Sequence, residues 1–199
     1  MESPFVGLTG GVAAGKSEVL AAFARLGAAT LSSDALVHEL LGDPDVQSRL
    51  IDRWGEEILS DGSLDRGRVG AIVFKRPDEL AWLESLLHPL VGERVMIWRR
   101  SLASEAPLAL VEVPLLFETG MDAVFDATLA VVADDGARTE RAGARGTELL
   151  EDRSDRQLSQ EEKAARATHV LTNDGSLAEL EERVGRLLTT LTALAPGAA

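Results

Sequence analysis

Residues 10–17 read GGVAAGKS, and this stretch constrains the fold more than any other part of the 199-residue chain. A short apolar run at residues 5–9 precedes it, and apolar residues at helical spacing follow it up to Gly27. A strand, a loop of the form G-x-x-x-x-G-K-S and a helix together match the phosphate-binding loop. An ordinary glycine-rich turn is the alternative, but the pattern in this context is rare by chance. The stretch therefore predicts a bound nucleoside triphosphate.

The residue types of this loop suit the binding of phosphate. Glycines let successive backbone N–H groups turn inward, and the helix that follows Gly15 directs its positive end towards the loop. Lys16 can reach the β- and γ-phosphates, and the hydroxyl of Ser17 can bind Mg²⁺. We expect the nucleotide to contact both residues and also Gly11, Ala13, Ala14, Gly15 and Glu18.

Composition narrows the possible functions. The chain has no cysteine, which excludes disulfides and thiolate chemistry. Its first residues, MESPF, have neither the basic nor the apolar part of a signal peptide, and no stretch has the length of a membrane span, so we expect a cytoplasmic protein. The formal net charge of −13 argues against nucleic acid or an anionic membrane as a partner, because both would be repelled at long range.

Four further apolar runs predict strands, at residues 28–32, 108–113, 127–133 and 169–172. Helical patterns separate most of them, and this alternation predicts an α/β fold with a parallel sheet of about five strands covered by helices. Residues 34–100 carry apolar stripes at helical spacing and no convincing strand. They predict a helical insertion.

Residues 138–166 are rich in charge of both signs and poor in large apolar side chains. A solvated helix pair and a mobile lid over the phosphates both fit this pattern. We expect a nucleotide-binding core of residues 1–34, 101–137 and 167–199, a substrate-binding insertion of residues 35–100, and a lid of residues 138–166. This is the plan of a small-molecule kinase, whose lid excludes water from the phosphoryl group.

Two carboxylates follow predicted strands, where open α/β sheets bind their ligands. Asp34 lies at the C-terminal end of the second strand, and Glu112 ends the third apolar run. Asp34 could accept the proton of a phosphate acceptor, or it could cap a helix that starts at Ala35. Glu112 could hold Mg²⁺, or it could form a salt bridge at the strand end.

For other candidate site residues, an ordinary structural role is a simpler alternative to a functional one. Leu115 and Leu116 could line the acceptor cleft or belong to the core. Arg141 and Arg145 lie four residues apart and could clamp the γ-phosphoryl group, although spacing alone favours surface ion pairs.

His88 precedes Pro89, which is expected to kink its helix, and a structural hydrogen bond is the simpler role for this histidine. Asn173 suits a tight turn before the last helix.

In order and spacing, these pieces resemble the dephospho-CoA kinase family over nearly the whole chain. The matching stretches are GLTGGVAAGKSEV, SSDALVHELL, WGEEILSDGSLDR, VFKRPDELAWLESLLHPLV, VEVPLLFETG, RAGARG and ATHVLTNDGSLAEL. The resemblance implies the nucleoside monophosphate kinase fold and the ATP-dependent phosphorylation of the ribose 3′-hydroxyl of dephospho-CoA, the last step of CoA synthesis. It implies ATP and dephospho-CoA as partners and Mg²⁺ as cofactor, and we expect a monomer.

The resemblance also implies roles for single residues. Asp34, Lys16 and Arg145 match the family's catalytic residues, which are the carboxylate held to be the base, the phosphate lysine and the lid arginine. Asn173 falls in the loop beside the adenine. His88 matches a signature residue near the CoA pocket, and HPLV and PLLFE, which contains Leu115 and Leu116, are specific to this family among kinases with such a loop.

The sequence departs from the family pattern at four places, one of which is Asp174, where the family usually has Asn in the loop beside the adenine. The family usually has Asp-x-Asp where this chain has Ser32-Ser33-Asp34, so one negative charge is missing from the metal site. Glu112 stands where Asp is usual and could reach over this gap. Ala13 replaces a usual glycine, which is tolerable if its φ is negative.

Two alternatives remain open at this point. One is another small-molecule kinase of the same architecture, with a nucleoside monophosphate or a sugar as acceptor. A second is a catalytically weakened ATP-binding homologue, which Ser32 suggests. A nucleotide-switch GTPase would need an Asn-Lys-x-Asp loop, and none of the three lysines, Lys16, Lys75 and Lys163, fits that pattern.

Overall fold

A computed structural model describes residues 3–102, 106–144 and 157–194 of the chain. The chain divides into two compact units, one made of Met1–Ser32 with Ser101–Ala199 and the other of Ser33–Arg100. The first unit contains the phosphate-binding loop. The second contains most of the segment predicted to be a helical insertion.

Strands and helices alternate along most of the first unit. The strands of the described chain are β1 (Phe5–Gly10), β2 (Ala29–Ser32), β3 (Leu59–Ser60), β4 (Ser63–Leu64), β5 (Ala109–Glu112), β6 (Ala127–Val132) and β7 (His169–Thr172). The α-helices are α1 (Lys16–Arg25), α2 (Ser33–Leu40), α3 (Pro44–Trp54), α4 (Arg66–Val73), α5 (Pro77–Ser101), α6 (Asp135–Ala144), α7 (Gln160–Arg166) and α8 (Leu177–Thr192). Short 3-10 helices lie at Glu56–Ile58 and Met121–Val124.

The first unit is built on a five-stranded parallel sheet in the order β2-β5-β1-β6-β7. The prediction of a parallel sheet of about five strands is confirmed. The strand β1 is central, with Leu8 beside Glu112 of β5 and Gly10 beside Val131 of β6. Chain order reverses at β1, and the crevice beyond the carboxyl end of such a strand is where α/β sheets bind ligands.

One hydrophobic core covers this sheet. The central strands β1, β5 and β6 are buried along almost their whole length, as is typical of a parallel sheet that is covered on both faces. Full burial of a side chain such as Phe23 contributes about 1.5–3 kcal/mol relative to exposure. The helix α8 begins with a capping box, in which Ser176 and Glu179 satisfy each other's backbone N–H groups. The buried core residues include Val6, Leu8, Val19, Phe23, Leu110, Leu129, Leu180 and Val184.

The second unit is mainly helical, as its apolar stripes predict, but it also contains a small hairpin. The strands β3 and β4 pair antiparallel around Asp61 and Gly62, both of which have positive φ. The expectation that residues 34–100 hold no strand is therefore wrong at this place. Strands of two residues are too short for the alternation of apolar and polar residues to mark them in the sequence.

The longest helix of the second unit, α5, has 25 residues and continues through Pro89. It packs its buried Glu79 against the end of α3, where Arg53 donates to both carboxylate oxygens at 3.0 and 3.3 Å. The indole nitrogen of Trp54 donates to Glu79 at 2.8 Å. Within the described ranges, no helix combines the length and the apolar content that a membrane span requires.

Candidate functional site

Two glycines of the loop are required by the space around them. A side chain at Gly10 would collide with the carbonyl oxygen of Val131, because β1 and β6 approach closely there. Gly15 has a φ of +89° and caps the start of α1, and a Cβ there would collide with the amide nitrogen of Asn173. The loop is therefore held between a neighbouring strand and the turn after β7.

The next two residues begin α1, as the pattern predicts. The Nζ of Lys16 donates to the carbonyl oxygens of Gly10 and Gly11, at 3.0 and 2.9 Å, so the ammonium group lies over the start of the loop. Ser17 is exposed in the first helical turn. Glu18 is also exposed and forms an ion pair with Arg25 at 3.4 Å.

Ala13 adopts a left-handed backbone conformation, with a φ of +58°. The expectation that alanine is accommodated here through a negative φ is therefore wrong. A left-handed conformation costs an alanine roughly 1–2 kcal/mol, since its Cβ approaches the following carbonyl oxygen. Its neighbour Ala14 is fully buried, and the carbonyl of Ala14 accepts a hydrogen bond from Asn173 at 3.0 Å.

Asn173 and Arg141 form the wall of the loop next to β7. Asn173 is buried, and its carbonyl accepts a hydrogen bond from the Nη2 of Arg141 at 2.9 Å. The Nη1 of Arg141 is buried near Gly15 and has no hydrogen-bond partner within the described residues. Spacing favoured a surface ion pair for Arg141, whereas the structure directs its guanidinium group towards the loop.

Two further polar side chains, which the sequence analysis did not select, reach the same loop. The Nε of Arg138 donates to the carbonyl of Val12 at 3.1 Å. The side chain of Gln160 pairs with both the N–H and the C=O of Ala133, at 3.2 and 3.0 Å, just beyond β6. Gln160 lies close enough to Gly11 that a Cβ on that glycine would touch it.

The helix α7, which the sequence analysis assigned to the lid, carries a completely buried lysine. The Nζ of Lys163 contacts Glu118 at 3.1 Å, and burial lowers the pKa of Lys163 while the carboxylate opposes this change. The stretch EEKAAR resembles a solvated helix, so its periodicity gave no sign of a buried cation. The rarity of lysine in this chain was a usable signal, because only three of its 20 Lys and Arg residues are lysines.

The carboxylate of Glu112 meets several requirements of a magnesium site. Glu112 is buried at the carboxyl end of β5 and is the register partner of Ser32 on β2, so the two side chains point to the same face. In the part of the chain that the structure describes, no group of three or more His, Cys, Asp or Glu residues could hold a metal. The hydroxyl of Ser17 and the carboxylate of Glu112 are oxygen ligands of the kind that Mg²⁺ takes, and this ion usually has few protein ligands and keeps phosphate and water oxygens.

The remaining polar site residues predicted from the sequence belong to the second unit or lie outside the described residues. Asp34 and His88 belong to the second unit, and both are exposed. Asp34 lies within the first turn of α2, which begins at Ser33 rather than at Ala35. Arg145 lies outside the described residues.

Of the two leucines that follow β5, Leu116 is fully buried, which favours a core role for it. Leu115 is half-buried and stays available to line a cleft.

Comparisons with known proteins show the family to which the chain is similar. A family model described as dephospho-CoA kinase matches residues 4–179. The dephospho-CoA kinase of Streptomyces avermitilis is 38% identical over 186 residues, which are 90% of this chain and 90% of that protein.

Two solved structures are similar in fold. A crystal structure from Thermus thermophilus is 35% identical with a TM-score of 0.81, over 96% of this chain and 99% of that one. The dephospho-CoA kinase from Campylobacter jejuni has a TM-score of 0.71 over 94% of this chain and 96% of that one. Its identity is 22%, so it supports the fold alone.

Proposed function

Because the chain belongs to the dephospho-CoA kinase family, we propose that it transfers the γ-phosphoryl group of ATP to the ribose 3′-hydroxyl of dephospho-CoA. The product is CoA, and the reaction is the last step of CoA synthesis. The observation that carries this proposal is the complete GKS loop at the central strand of a chain that matches the family over residues 4–179.

We propose that the first unit holds the nucleotide. The amides of residues 11–18 surround the phosphates, and Lys16 neutralises charge on the β- and γ-phosphates. Asn173 and Arg141 lie on the side of Gly15, where the unpartnered Nη1 of Arg141 is available to a ligand. This arrangement supports a nucleotide whose phosphates lie in the loop and whose base lies towards the turn after β7.

We propose that the second unit, with residues 35–100, binds dephospho-CoA, and that Asp34 accepts the proton of the 3′-hydroxyl. Asp34 lies in the first turn of α2, two residues after β2 ends at Ser32, and carries an exposed carboxylate. A carboxylate within hydrogen-bond reach of the attacking hydroxyl is what general base catalysis requires. His88 and Leu115 are the proposed contacts to the acceptor, and the buried Leu116 supports Leu115 from the core.

Ser17 and Glu112 are the residues that would hold Mg²⁺. The ion, when bound, neutralises phosphate charge during transfer. Glu112 on β5 is the carboxylate proposed to face the ion, since the neighbouring position on β2 is Ser32 rather than an acid.

The lid is proposed to comprise residues 138–159, with Arg145 as the arginine that stabilises the transferring phosphoryl group. The remainder of the segment predicted as lid is α7, which is anchored by the buried Lys163. We also propose that the enzyme acts as a monomer in the cytoplasm, where ATP is available.

The test is ADP release by the purified protein with dephospho-CoA, AMP, adenosine and shikimate as separate acceptors. We expect dephospho-CoA to give the highest kcat/KM. The Asp34→Asn variant should lose on the order of a hundredfold or more in kcat while it still binds ATP. Asp52→Asn, which changes an exposed aspartate of α3, is the matched control. Faster turnover of another acceptor would contradict the proposed function, and an active Asp34→Asn variant would contradict the proposed base.

A further inference from the structure

The fully buried Lys163 joins three separate segments of the first unit. Its Nζ donates to the carbonyl oxygen of Pro114 at 2.5 Å and lies 3.1 Å from Glu118 and 3.5 Å from the hydroxyl of Thr9. The hydroxyl of Thr9 itself donates to the carbonyl of Pro114 at 3.2 Å. We call Lys163, Glu118, Thr9 and the carbonyl of Pro114 the Lys163 cluster.

The segments joined by this cluster border the phosphate-binding loop and the loop after β5. Thr9 is the residue before Gly10, where the phosphate-binding loop begins. Pro114 and Glu118 enclose the turn that contains Leu115 and Leu116. The cluster thus fixes the start of the nucleotide-binding loop against the turn proposed to face the acceptor.

The cluster also fixes the start of α7. The Oε1 of Glu118 accepts a second hydrogen bond, from the N–H of Leu158 at 2.9 Å. Two residues later, Gln160 binds both backbone groups of Ala133. The start of α7 is therefore tied to the ends of β1, β5 and β6 by polar contacts.

Stability alone does not account for such a cluster. A buried ion pair loses hydration, and apolar side chains of similar volume often serve a core as well or better. The Oε2 of Glu118 is buried and has no hydrogen-bond partner within the described residues, so the pair is not fully satisfied. An ammonium donor fixes the positions of the carbonyl and hydroxyl oxygens around it. Such directional contacts are useful where the relative position of two loops matters.

We propose that Lys163, with Glu118, is a positioning residue for phosphoryl transfer, which holds the start of the phosphate-binding loop at a fixed place relative to the turn at residues 114–118. This inference rests on the proposed function, since it concerns the geometry of that reaction. Lys163 acts through Thr9 and Pro114. Its loss should lower kcat more than it changes the KM for ATP, because misplacement of the reacting groups affects the transition state most.

The test compares Lys163→Met, Lys163→Met with Glu118→Gln, and Lys163→Arg. The double variant removes both charges and keeps an acceptor for the N–H of Leu158, so we expect it to melt within a few degrees of the wild type. It should nevertheless lose about tenfold or more in kcat, with the KM for ATP changed less than about threefold. Lys163→Arg keeps a cationic donor and should recover most of the kcat. Arg166→Met removes an exposed cation from the same helix and is the matched control.

Hydrogen–deuterium exchange of peptides covering residues 9–16, with ATP and Mg²⁺ but without an acceptor, gives a second readout. We expect faster exchange in the double variant than in the wild type or in Arg166→Met. A double variant with wild-type kcat and wild-type exchange would overturn the proposal, and so would failure of both Met variants to fold, which would make the lysine a requirement of the fold. If the wild type fails to phosphorylate dephospho-CoA, the proposed function fails, while the exchange result still decides the role of Lys163.

Discussion

At the scale of single residues, the left-handed alanine of the loop gives the most direct prediction. Ala13 has a φ of +58°, a conformation in which glycine is not penalised. We expect Ala13→Gly to raise the free energy of unfolding by roughly 1 kcal/mol, despite the larger entropy of glycine in the unfolded chain. For a protein of this size the melting temperature should rise by about 2–4 °C.

The control for this substitution is Ala14→Gly in the same loop. Ala14 is fully buried and is not among the non-glycine residues with positive φ. Its substitution removes a buried methyl group and adds backbone entropy, so the melting temperature should fall. A melting temperature of Ala13→Gly at or below that of the wild type would show that residue 13 is not left-handed in solution.

Ser32 allows the charge at the proposed metal site to be tested. It lies beside Glu112 on the neighbouring strand, with both side chains on one face. In Ser32→Asp two carboxylates would lie next to each other, and their repulsion should lower the melting temperature when ATP is present without Mg²⁺. Addition of Mg²⁺ should raise the melting temperature more in this variant than in the wild type, and should support half-maximal turnover at a lower concentration.

The matched control is Ser101→Asp, which adds a carboxylate at the exposed end of α5. It should respond to Mg²⁺ as the wild type does. Equal Mg²⁺ dependence of Ser32→Asp and the wild type would mean that the position on β2 does not face the metal.

At the scale of elements, the sequence predicted what periodicity and local chemistry determine. All five strands of the parallel sheet were found within one residue at each end, because each contains a short, largely apolar run that a helical or turn segment follows. The hairpin of β3 and β4 was missed because two-residue strands carry no pattern. The buried face of α7 was missed because Lys163 is polar, and only the fold shows which partners surround it.

For the candidate site too, the contiguous parts could be predicted from the sequence and the long-range contacts could not. The GKS loop is contiguous, so its residues, spacing and chemistry are visible in the sequence. Contacts such as that of Arg138 with Val12, or of Gln160 with Ala133, join residues far apart in the chain. Nothing in the local sequence distinguishes these side chains from other exposed polar groups of a charged helix.

Within the second unit, the contact between α3 and α5 gives a prediction about acid stability. The hydrogen bonds from Arg53 and Trp54 hold the pKa of Glu79 below its ordinary value. A lowered pKa stabilises the folded state above the pKa of the unfolded chain, near 4.3, and this stabilisation is lost as the pH falls through the folded pKa. We expect Glu79→Gln to lower the melting temperature at pH 7, and the difference from the wild type to shrink below about pH 4.

Tryptophan fluorescence is the appropriate measurement, because all three tryptophans, Trp54, Trp82 and Trp98, belong to the second unit. Glu93→Gln, which changes an exposed glutamate of α5, is the control and should melt like the wild type at both pH values. A difference between Glu79→Gln and the wild type that stays constant from pH 7 to pH 3 would contradict this account.

At the scale of the whole molecule, the composition of the chain makes the effect of one buried side chain, Lys163, on the pH dependence of stability measurable. The chain has no cysteine and no tyrosine, so among its side chains only the lysines titrate between about pH 8.5 and 10.5. Burial lowers the pKa of Lys163, and Glu118 is the charged group that opposes the change. Between the folded and unfolded pKa values the unfolded chain binds more protons, so the contribution of Lys163 to the free energy of unfolding should rise with pH.

We therefore expect the stability of Lys163→Met relative to the wild type to decrease as the pH rises from 8.5 to 10.5, measured by chemical denaturation. The other lysines and the α-amino group are common to both proteins and cancel in this difference. A difference that is independent of pH would show that Lys163 is not shifted by its burial.

The net charge of −13 is also a property of the whole molecule, and it coexists with a site for polyanionic substrates. Long-range repulsion is overcome where Lys16, Arg138 and Arg141 converge on the loop with its inward backbone N–H groups. Substrate binding thus depends on local geometry rather than on the overall field, and we claim above all a specific transfer to one hydroxyl.

The most direct test of that claim is the identity of the product formed from ATP, Mg²⁺ and dephospho-CoA. We predict a phosphomonoester in the phosphorus-31 NMR spectrum, with coupling to the ribose H3′ and co-elution with authentic CoA. Lys16→Ala should form this product at less than about a tenth of the wild-type rate while it keeps the wild-type circular dichroism spectrum. Release of inorganic phosphate without a phosphorylated acceptor, or a phosphomonoester at another position, would contradict the account.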